Sequence, residues 1–199
     1  MSKYSAIRLG RVEVITGCMF SGKTEELIRR LRRAMYAHLN VAAFKPVIDD
    51  RYHAEDIVSH EGTTLQALPI KDPQQILEQA KDAEVIGIDE AHFFGEGLLD
   101  VVQRLARDKK RVILAGLDMD YKGVPFGVMP ELLAVAEEIQ KFHAICTVCG
   151  GPAPRSQRIA DSNDQVLVGG KAVYEARCRD HWNPRPTFSA ERRMDLQED

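Results

Sequence analysis

The sequence lacks the features that would place it in a membrane or in a secreted class of protein. It has no apolar run long enough to cross a bilayer, and its N-terminus, Met1-Ser2-Lys3-Tyr4, lacks the apolar core of a signal peptide. Only 4 of the 199 residues are cysteine, and three of these cluster near the C-terminus, which suits a reducing compartment better than a disulfide framework. We therefore expect a cytoplasmic protein with no membrane partner.

The sequence also lacks an excess of positive charge. Its 27 Lys and Arg residues against 30 Asp and Glu residues give a formal net charge of −3, with a pI near 6.1. Such a chain has no overall field that would attract nucleic acid or an anionic membrane, so we expect no nucleic-acid partner. With 199 residues and 44% hydrophobic content, the chain can form one domain core with a small additional module. The sequence shows no internal repeats.

A strand-like segment runs directly into a Gly-x-x-x-x-Gly-Lys-Thr loop and then into a helix. Gly17 and Gly22 allow consecutive backbone N–H groups to point at a phosphate chain, and the helix that begins near Lys23 adds its dipole. Lys23 would reach the β- and γ-phosphates, and the Thr24 hydroxyl would hold a magnesium ion. The alternative is a glycine turn that matches by chance. The residues predicted to bind ATP are Gly17, Cys18, Met19, Phe20, Ser21, Gly22, Lys23 and Thr24.

Strands and helices alternate along the first two thirds of the chain. The patterns predict helices over about 23–38, 73–80, 97–107 and 130–138, and strands over 40–46, 63–68, 84–90 and 111–116, with a long polar loop at 47–62. In the first helix Leu27, Leu31 and Met35 fall on an apolar face, and an arginine run that includes Arg30 is interpreted as a solvated face.

This alternation predicts an α/β fold with a mainly parallel sheet covered by helices on both faces, of the phosphate-loop NTPase (RecA-like) type. Near residue 141 the pattern becomes short and turn-rich. We therefore predict a phosphate-loop α/β domain over 1–141, a small second domain over 142–183, and a disordered tail over 184–199.

Two acidic residues close the apolar strand over 84–90. Asp89 fits the carboxylate that a phosphate-loop enzyme uses to hold magnesium, although a strand-end aspartate can also cap the next turn. Glu90 beside it could accept the proton of an attacking hydroxyl group or water. The residues alone leave open whether the nucleophile is an alcohol, as in a kinase, or water, as in an ATPase.

Two close pairs of soft ligands lie in the C-terminal part. Cys146-x-x-Cys149 and Cys178-x-x-His181 together supply four ligands, which predicts a closed tetrahedral zinc site. The alternatives are a redox pair at Cys146 and Cys149, or a chance coincidence, and His143 is a rival to His181. A metal here would pin the intervening segment as a lid over the main domain.

Taken together, these residues resemble the type II (cytosolic and bacterial) thymidine kinase family. The resemblance spans roughly Gly10 to His181 in the family's order. It is carried by the phosphate loop, Asp49-x-Arg51-Tyr52, Asp89-Glu90-x-x-Phe93-Phe94, Gly116-Leu117-Asp118, Pro125-Phe126-Gly127, and the metal ligands with Val168-Gly169-Gly170 and Tyr174 between them.

The resemblance implies transfer of the ATP γ-phosphate to the 5′-hydroxyl of thymidine. It implies that Glu90 is the general base, that Lys23 and Arg51 stabilise the transferring group, and that Asp89 and Asp49 belong to the ATP and magnesium site. The side chains and backbone groups it assigns to thymidine are those of Met19, Phe93, Leu117, Tyr121, Phe126, Ser156, Val166, Val168, Gly169 and Tyr174. It also implies a structural zinc ion, a homotetramer, and inhibition by thymidine triphosphate.

The sequence departs from the family's pattern at several positions. His92 stands where many relatives carry glutamine, which produces the Asp-Glu-Ala-His box of a helicase class. His181 replaces a cysteine ligand, and Tyr121 takes a position often filled by phenylalanine. A nucleic-acid-stimulated ATPase is therefore the alternative, although 199 residues supply only one of the two domains that a helicase motor needs. A nucleic-acid-binding zinc-ribbon protein is a third possibility, disfavoured because the phosphate loop is intact.

Overall fold

A six-stranded parallel sheet lies at the centre of the computed structural model. The structure describes residues 10–47, 56–58, 64–160 and 173–184. Within 56–58 it describes the backbone of all three residues and the side chain of Ile57 alone. The strands are β1 (Arg11–Gly17), β2 (Val41–Pro46), β3 (Asp56–Val58), β4 (Thr64–Gln66), β5 (Leu68–Ile70), β6 (Val85–Ile88), β7 (Arg111–Gly116), β8 (Glu138–Phe142), β9 (Ala144–Ile145), β10 (Pro152–Ala153), β11 (Arg155–Arg158) and β12 (Tyr174–Arg177). The sheet order is β5-β2-β6-β7-β1-β8, with every neighbouring pair parallel. The carboxyl ends of these strands therefore meet at one edge, where ligands bind in open α/β sheets.

Helices cover both faces of this sheet, as the sequence predicted. The described helices are α1 (Lys23–Tyr36), α2 (Gln74–Gln79), α3 (Gly97–Arg107) and α4 (Met129–Val135). Leu27, Ile28 and Leu31 of α1 form one buried cluster with one face of the sheet, and residues of α2, α3 and α4 form a second cluster with the other. A Cβ atom at Gly87 would lie 2.4 Å from Leu31 Cδ1, so the close approach of α1 to β6 requires glycine.

Three boundaries differ from the sequence prediction. The loop predicted over 47–62 contains β3, which pairs antiparallel with β4 outside the main sheet. The single strand predicted over 63–68 is two strands, β4 and β5, and only β5 joins the main sheet. The helix predicted over 130–138 ends at Val135, and Glu138 begins the edge strand β8. Residues Glu138–Lys141 of β8 are exposed to solvent. The strand therefore carries little of the apolar alternation from which strands are predicted.

The arginine face predicted for α1 is only partly solvated. Arg30 is buried and forms ion pairs with Glu13 of β1 at 2.6 Å and with Glu26 at 2.8 Å. Met35, which the helical pattern placed with the apolar face, is 50% exposed near the end of the helix. The helical period alone cannot reveal that a carboxylate on a neighbouring strand faces Arg30.

Short antiparallel pairs follow the main sheet. Strands β9 and β10 form one hairpin, and β11 pairs with β12. The phosphate-loop residue Cys18 is buried in a cluster with residues of this region, including Ala153 and Ala176, so the small module packs directly against the loop. Among the described residues, no helix is both long and apolar enough to cross a membrane.

Candidate active site

The loop between β1 and α1 has the strained backbone that a phosphate cradle needs. Gly17 has φ 136°, Gly22 has φ 84°, and Phe20 between them has φ 63°, all in the range that glycine adopts most readily. A Cβ atom at Gly17 would lie 2.2 Å from the Phe142 carbonyl oxygen, which leaves no room for another residue. Helix α1 begins directly after Gly22, so the loop and the positive end of the helix dipole face the same region.

The loop holds Lys23 close to its own backbone. Lys23 Nζ donates to the Cys18 carbonyl oxygen at 2.7 Å, and Ser21 Oγ donates to the same oxygen at 2.8 Å. Lys23 nevertheless lines the open pocket together with Thr24, Glu90 and Leu117. Its ammonium group therefore lies within the space that a phosphate chain would enter.

The tertiary structure brings Thr24 and Asp89 together across the intervening strand β7. Thr24 Oγ1 donates to Asp89 Oδ2 at 3.3 Å, although the residues are 65 positions apart. Burial raises the pKa of Asp89 to about 7, and the charge of Glu90 acts in the same direction. A hydroxyl and a carboxylate are oxygen ligands that magnesium prefers, so this pair fits the predicted metal role.

Glu90 occupies an unusual backbone position at the end of β6. It has φ 50° and ψ 40°, a left-handed conformation that few residues other than glycine adopt, and its N–H donates to Asp89 Oδ1 at 3.0 Å. Its side chain is 43% exposed and lines the phosphate-loop pocket. The sharp turn after Asp89 therefore directs the two adjacent carboxylates to different surroundings.

Aromatic side chains lie beside this pocket. Phe93 and Phe126 pack edge to face with ring centroids 5.7 Å apart, and Met19 and Leu117 line the phosphate-loop pocket. Tyr121 and Phe126 come from the turn between Asp118 and Gly127, which is closed by a backbone hydrogen bond from Phe126 to Asp118 at 3.1 Å. The structure thus brings Phe93 into contact with Phe126 and places Met19 and Leu117 on one pocket, as parts of the predicted nucleoside wall.

The small C-terminal module contacts the phosphate loop through specific hydrogen bonds. The Met19 N–H donates to Ser156 Oγ at 3.0 Å, and Cys18 Sγ donates to the Ala153 carbonyl oxygen at 3.0 Å. Tyr174 is buried on β12, where it lies opposite Arg158 of β11. Ser156 is therefore placed at the junction between the module and the loop.

Arg158 is a buried residue that the sequence did not single out. It is fully buried, its guanidinium carbon lies 3.7 Å from the centroid of the Tyr121 ring, and Nη2 donates to the Tyr174 hydroxyl. Nothing in the neighbouring sequence distinguishes this buried arginine from a surface one. Arg158 connects two of the tyrosines predicted to contact thymidine.

Five predicted site residues lie outside the described part of the chain. They are Asp49, Arg51, Val166, Val168 and Gly169. Their roles remain those that the resemblance implies.

The predicted metal ligands form a compact group. The ligand atoms of Cys146, Cys149, Cys178 and His181 all lie within 4.8 Å of one another, and His143 is not in the group. The sulfur atoms of Cys149 and Cys178 are 3.8 Å apart, and Cys178 Sγ lies 3.1 Å from His181 Nδ1. Tetrahedral zinc with Zn–S bonds of about 2.3 Å separates two sulfurs by about 3.8 Å, so the donor set and its size fit this ion.

The family model and the similar sequences agree on one family. A family model described as Thymidine kinase matches residues 10–182. The chain is 54% identical over 178 residues to a thymidine kinase of Coprothermobacter proteolyticus, covering 86% of this chain and 90% of the relative. It is 53% identical over 186 residues to a thymidine kinase of Bdellovibrio bacteriovorus, covering 92% and 91%. A solved structure, the flagellar accessory protein FlaH of Methanocaldococcus jannaschii, aligns over 72% of this chain and 75% of that one, at 15% identity and a TM-score of 0.49.

Proposed function

Because this chain belongs to the thymidine kinase family, we propose how its own residues carry out the phosphorylation of thymidine. The chain transfers the ATP γ-phosphate to the 5′-hydroxyl of thymidine. The observation that carries the residue assignment is the convergence of Lys23, Thr24 and Glu90 on one pocket, with Asp89 bonded to Thr24 at its base. The comparisons favour this activity over the helicase-type ATPase that the Asp-Glu-Ala-His box had kept open.

The phosphate chain of ATP is held by the loop and Lys23. The backbone N–H groups of residues 17–24 donate hydrogen bonds to the phosphates from fixed positions. Lys23 gives up its hydrogen bond to the Cys18 carbonyl oxygen and binds the β- and γ-phosphates instead. Thr24 and Asp89 hold the magnesium ion, which neutralises charge on the phosphates when bound. Arg51 completes the cationic surroundings of the transferring group, and Asp49 belongs to the same site.

Glu90 accepts the proton from the 5′-hydroxyl as its oxygen attacks the γ-phosphorus. The bond between that phosphorus and the oxygen of the departing ADP breaks, and the proton remains on the Glu90 carboxylate. Glu90 suits this role because it is half exposed toward the pocket, whereas Asp89 is buried against Thr24. The two carboxylates thus serve different partners.

Thymidine lies between the main domain and the small module. Met19, Phe93, Leu117, Tyr121 and Phe126 enclose the base and sugar from the side of the sheet. Ser156 and Tyr174, with Val166, Val168 and Gly169, close the opposite side as a lid. This division follows the proposed domains at 1–141 and 142–183, with a tail over 184–199.

The remaining proposals concern the metal, the assembly and the regulation. Zinc occupies the group of three cysteines and His181 as a structural ion. The enzyme acts in the cytoplasm as a homotetramer and is inhibited by thymidine triphosphate. Support for an assembly comes from exposed apolar side chains, including Tyr36 at 82% exposure and Ile139 at 51% exposure on the edge strand β8.

Phosphate transfer from ATP to thymidine by the wild-type chain and by Glu90→Gln tests this proposal. General-base contributions of about 10²–10⁴-fold set the expected loss of kcat, with ATP binding retained. Glu25→Gln is the matched control, because Glu25 is a carboxylate of the same pocket to which no proton transfer is assigned. Its kcat should stay within about threefold of wild type.

Parallel reactions with deoxycytidine and with single-stranded DNA address the substrate. Thymidine-dependent formation of the monophosphate that Glu90→Gln loses would support both the reaction and the base. An unchanged kcat in Glu90→Gln would remove Glu90 as the general base. ATP hydrolysis that ignores thymidine and rises with DNA would overturn the kinase function itself.

A further inference from the structure

His92 lies beside Glu90 in a position that fixes its protonation state. Its Nδ1 accepts a hydrogen bond from the Leu117 N–H at 3.2 Å. A backbone N–H can only donate, so Nδ1 must carry a lone pair and the neutral ring carries its proton on Nε2. The side chain is fully buried, and burial together with the charge of Lys23 lowers its pKa to about 3. The imidazole is therefore a neutral donor at neutral pH.

The Nε2–H of this ring has one nearby acceptor. Nε2 lies 3.5 Å from Glu90 Oε2, and within the described residues it has no formed hydrogen bond although it is buried. A formed N–H···O bond measures about 2.7–3.2 Å, so the pair is a few tenths of an ångström from closing. A buried donor without a partner is unfavourable, which gives the contact a reason to form.

The ring of His92 is held rigidly by its neighbours. Phe93 and Phe126 pack on the ring with centroids 4.1 and 4.7 Å away. A Cβ atom at Gly127 would lie 2.5 Å from the His92 carbonyl oxygen, so the backbone is tightly enclosed as well. The Glu90 side chain is 43% exposed, whereas that of His92 is fully buried. Because the ring is fixed, closing the contact moves the Glu90 carboxylate toward His92.

We propose that His92 is a positioning residue for the general base: its Nε2–H donates to one oxygen of the Glu90 carboxylate and thereby directs the other oxygen to the 5′-hydroxyl. A neutral donor leaves the carboxylate charged and able to accept the proton. This inference rests on the proposed role of Glu90. It assigns a task to the residue that distinguishes this chain's Asp-Glu-Ala-His sequence.

Steady-state kinetics of His92→Phe and His92→Gln test the inference. Phenylalanine keeps an aromatic ring in the packed position but removes the donor, whereas glutamine retains an N–H donor and an acceptor. Since a misplacement of about 1 Å costs about a hundredfold in rate, we expect His92→Phe to lose about ten- to a hundredfold in kcat. The KM values for ATP and thymidine should stay within about twofold, and His92→Gln should recover most of the kcat.

The same substitution in the Glu90→Gln background separates positioning from other roles. His92→Phe should cause no further loss there, because the base that it positions is already absent. An equal loss in both backgrounds, or a wild-type kcat in His92→Phe alone, would overturn the inference. If Glu90→Gln keeps its kcat, the assignment of the base fails and the role of His92 fails with it. If Glu90→Gln loses kcat but His92→Phe keeps the wild-type kcat, only the positioning role of His92 is overturned.

Nitrogen NMR of the wild-type enzyme gives a readout that does not depend on how the phenylalanine variant folds. Of the 6 histidines, His92 is identified by the signal lost in His92→Gln. At pH 7 we expect a neutral ring with its proton on Nε2, whose shift changes when Glu90 is replaced by glutamine. A ring protonated on Nδ1, or an Nε2 signal indifferent to Glu90→Gln, would contradict the proposed contact.

Discussion

At the scale of single residues, the buried carboxylate of Glu13 organises a network of arginines. Arg30, Arg111 and the more exposed Arg11 all bond to it, at 2.6, 2.6 and 2.7 Å. Burial alone would raise the pKa of Glu13, but the hydrogen bonds and charges of these arginines, Arg111 first, lower it to about 2. The network joins β1, β7 and α1 at a distance from the phosphate loop, so its role is in stability.

Removing this carboxylate should be far more harmful than removing its exposed partner. Glu13→Gln removes the buried carboxylate that Arg30 and Arg111 share, although Arg30 keeps its ion pairs with Glu26 and Glu138. Breaking a buried pair costs about 3–5 kcal/mol of unfolding free energy. Arg11 is 49% exposed, so Arg11→Ala should cost less than about 1 kcal/mol. Urea unfolding at pH 7 measures both. Equal destabilisation by the two substitutions would contradict the role of Glu13.

The lowered pKa of Glu13 also has a pH consequence. The unfolded carboxyl, with a pKa near 4.5, binds a proton before the folded one does, so the stabilisation is complete above pH 4.5 and is lost as the pH falls toward 2. Wild type should therefore lose stability faster than Glu13→Gln over this window. Parallel curves of unfolding free energy against pH would show that Glu13 does not titrate in this way.

His92 should act on stability over a different pH window. In the folded protein the pKa of His92 is lowered from 6.5 to about 3. Below pH 6.5 the imidazole is therefore protonated in the unfolded state but stays neutral in the folded state. Stability then falls by up to about 1.4 kcal/mol for each pH unit through this window. His92→Gln lacks the group and should show a shallower slope between pH 6.5 and 4.5. The difference between the two urea-derived curves measures the effect, and a difference of zero would rule it out.

At the scale of elements, the small C-terminal module and the phosphate loop form one junction. Ser156 of β11 accepts from the Met19 N–H, and Cys18 is buried against Ala153 and Ala176. The metal ligands flank this region on both sides: Cys146 follows β9, and Cys178 follows β12 directly. A change at the proposed metal site would therefore act on the strands that contact the phosphate loop.

Loss of the metal should weaken thymidine binding. Cys146→Ser should release zinc and raise the KM for thymidine by about tenfold, which corresponds to about 1.4 kcal/mol, with a smaller effect on the KM for ATP. His143→Ala is the matched control, since His143 is exposed and lies outside the ligand group. It should keep both zinc and KM. Zinc content by mass spectrometry and initial rates measure these outcomes, and full thymidine affinity without zinc would refute the link.

At the scale of the whole molecule, exposed apolar side chains remain at the surface of the single chain. Tyr36 ends α1, and Ile139 lies on β8, which pairs with β1 on one side only within the described sheet. An edge strand and an exposed aromatic residue are features that association would cover. They support the proposed assembly without defining its symmetry.

Sedimentation at micromolar concentration should show a species four times the chain mass of 22.3 kDa. Tyr36→Ser should shift this species toward smaller assemblies if its ring is buried between chains, because a buried aromatic side chain contributes about 1.5–3 kcal/mol. Lys81→Ser, at an exposed position near the amino end of β6, serves as a control for surface change. A single chain at all concentrations would contradict the tetramer.

The sequence alone determined the order of the elements and the chemistry of the site. Glycine spacing, apolar runs and ligand pairs are local signals, so β1, α1, α3, β7 and the four metal ligands could be predicted within a few residues. Strand β8 and the division between β4 and β5 could not, because their residues are mostly exposed or short and carry no period.

Only the tertiary structure decided which distant residues meet. The pairing of Thr24 with Asp89 across β7, the burial of Arg158 between two tyrosines, and the hydrogen bond from the Leu117 N–H to His92 all join separate parts of the chain. A charged residue looks the same in sequence whether it faces water or a buried partner. What distinguishes the two is the free energy of its surroundings, which exist only once the sheet has formed.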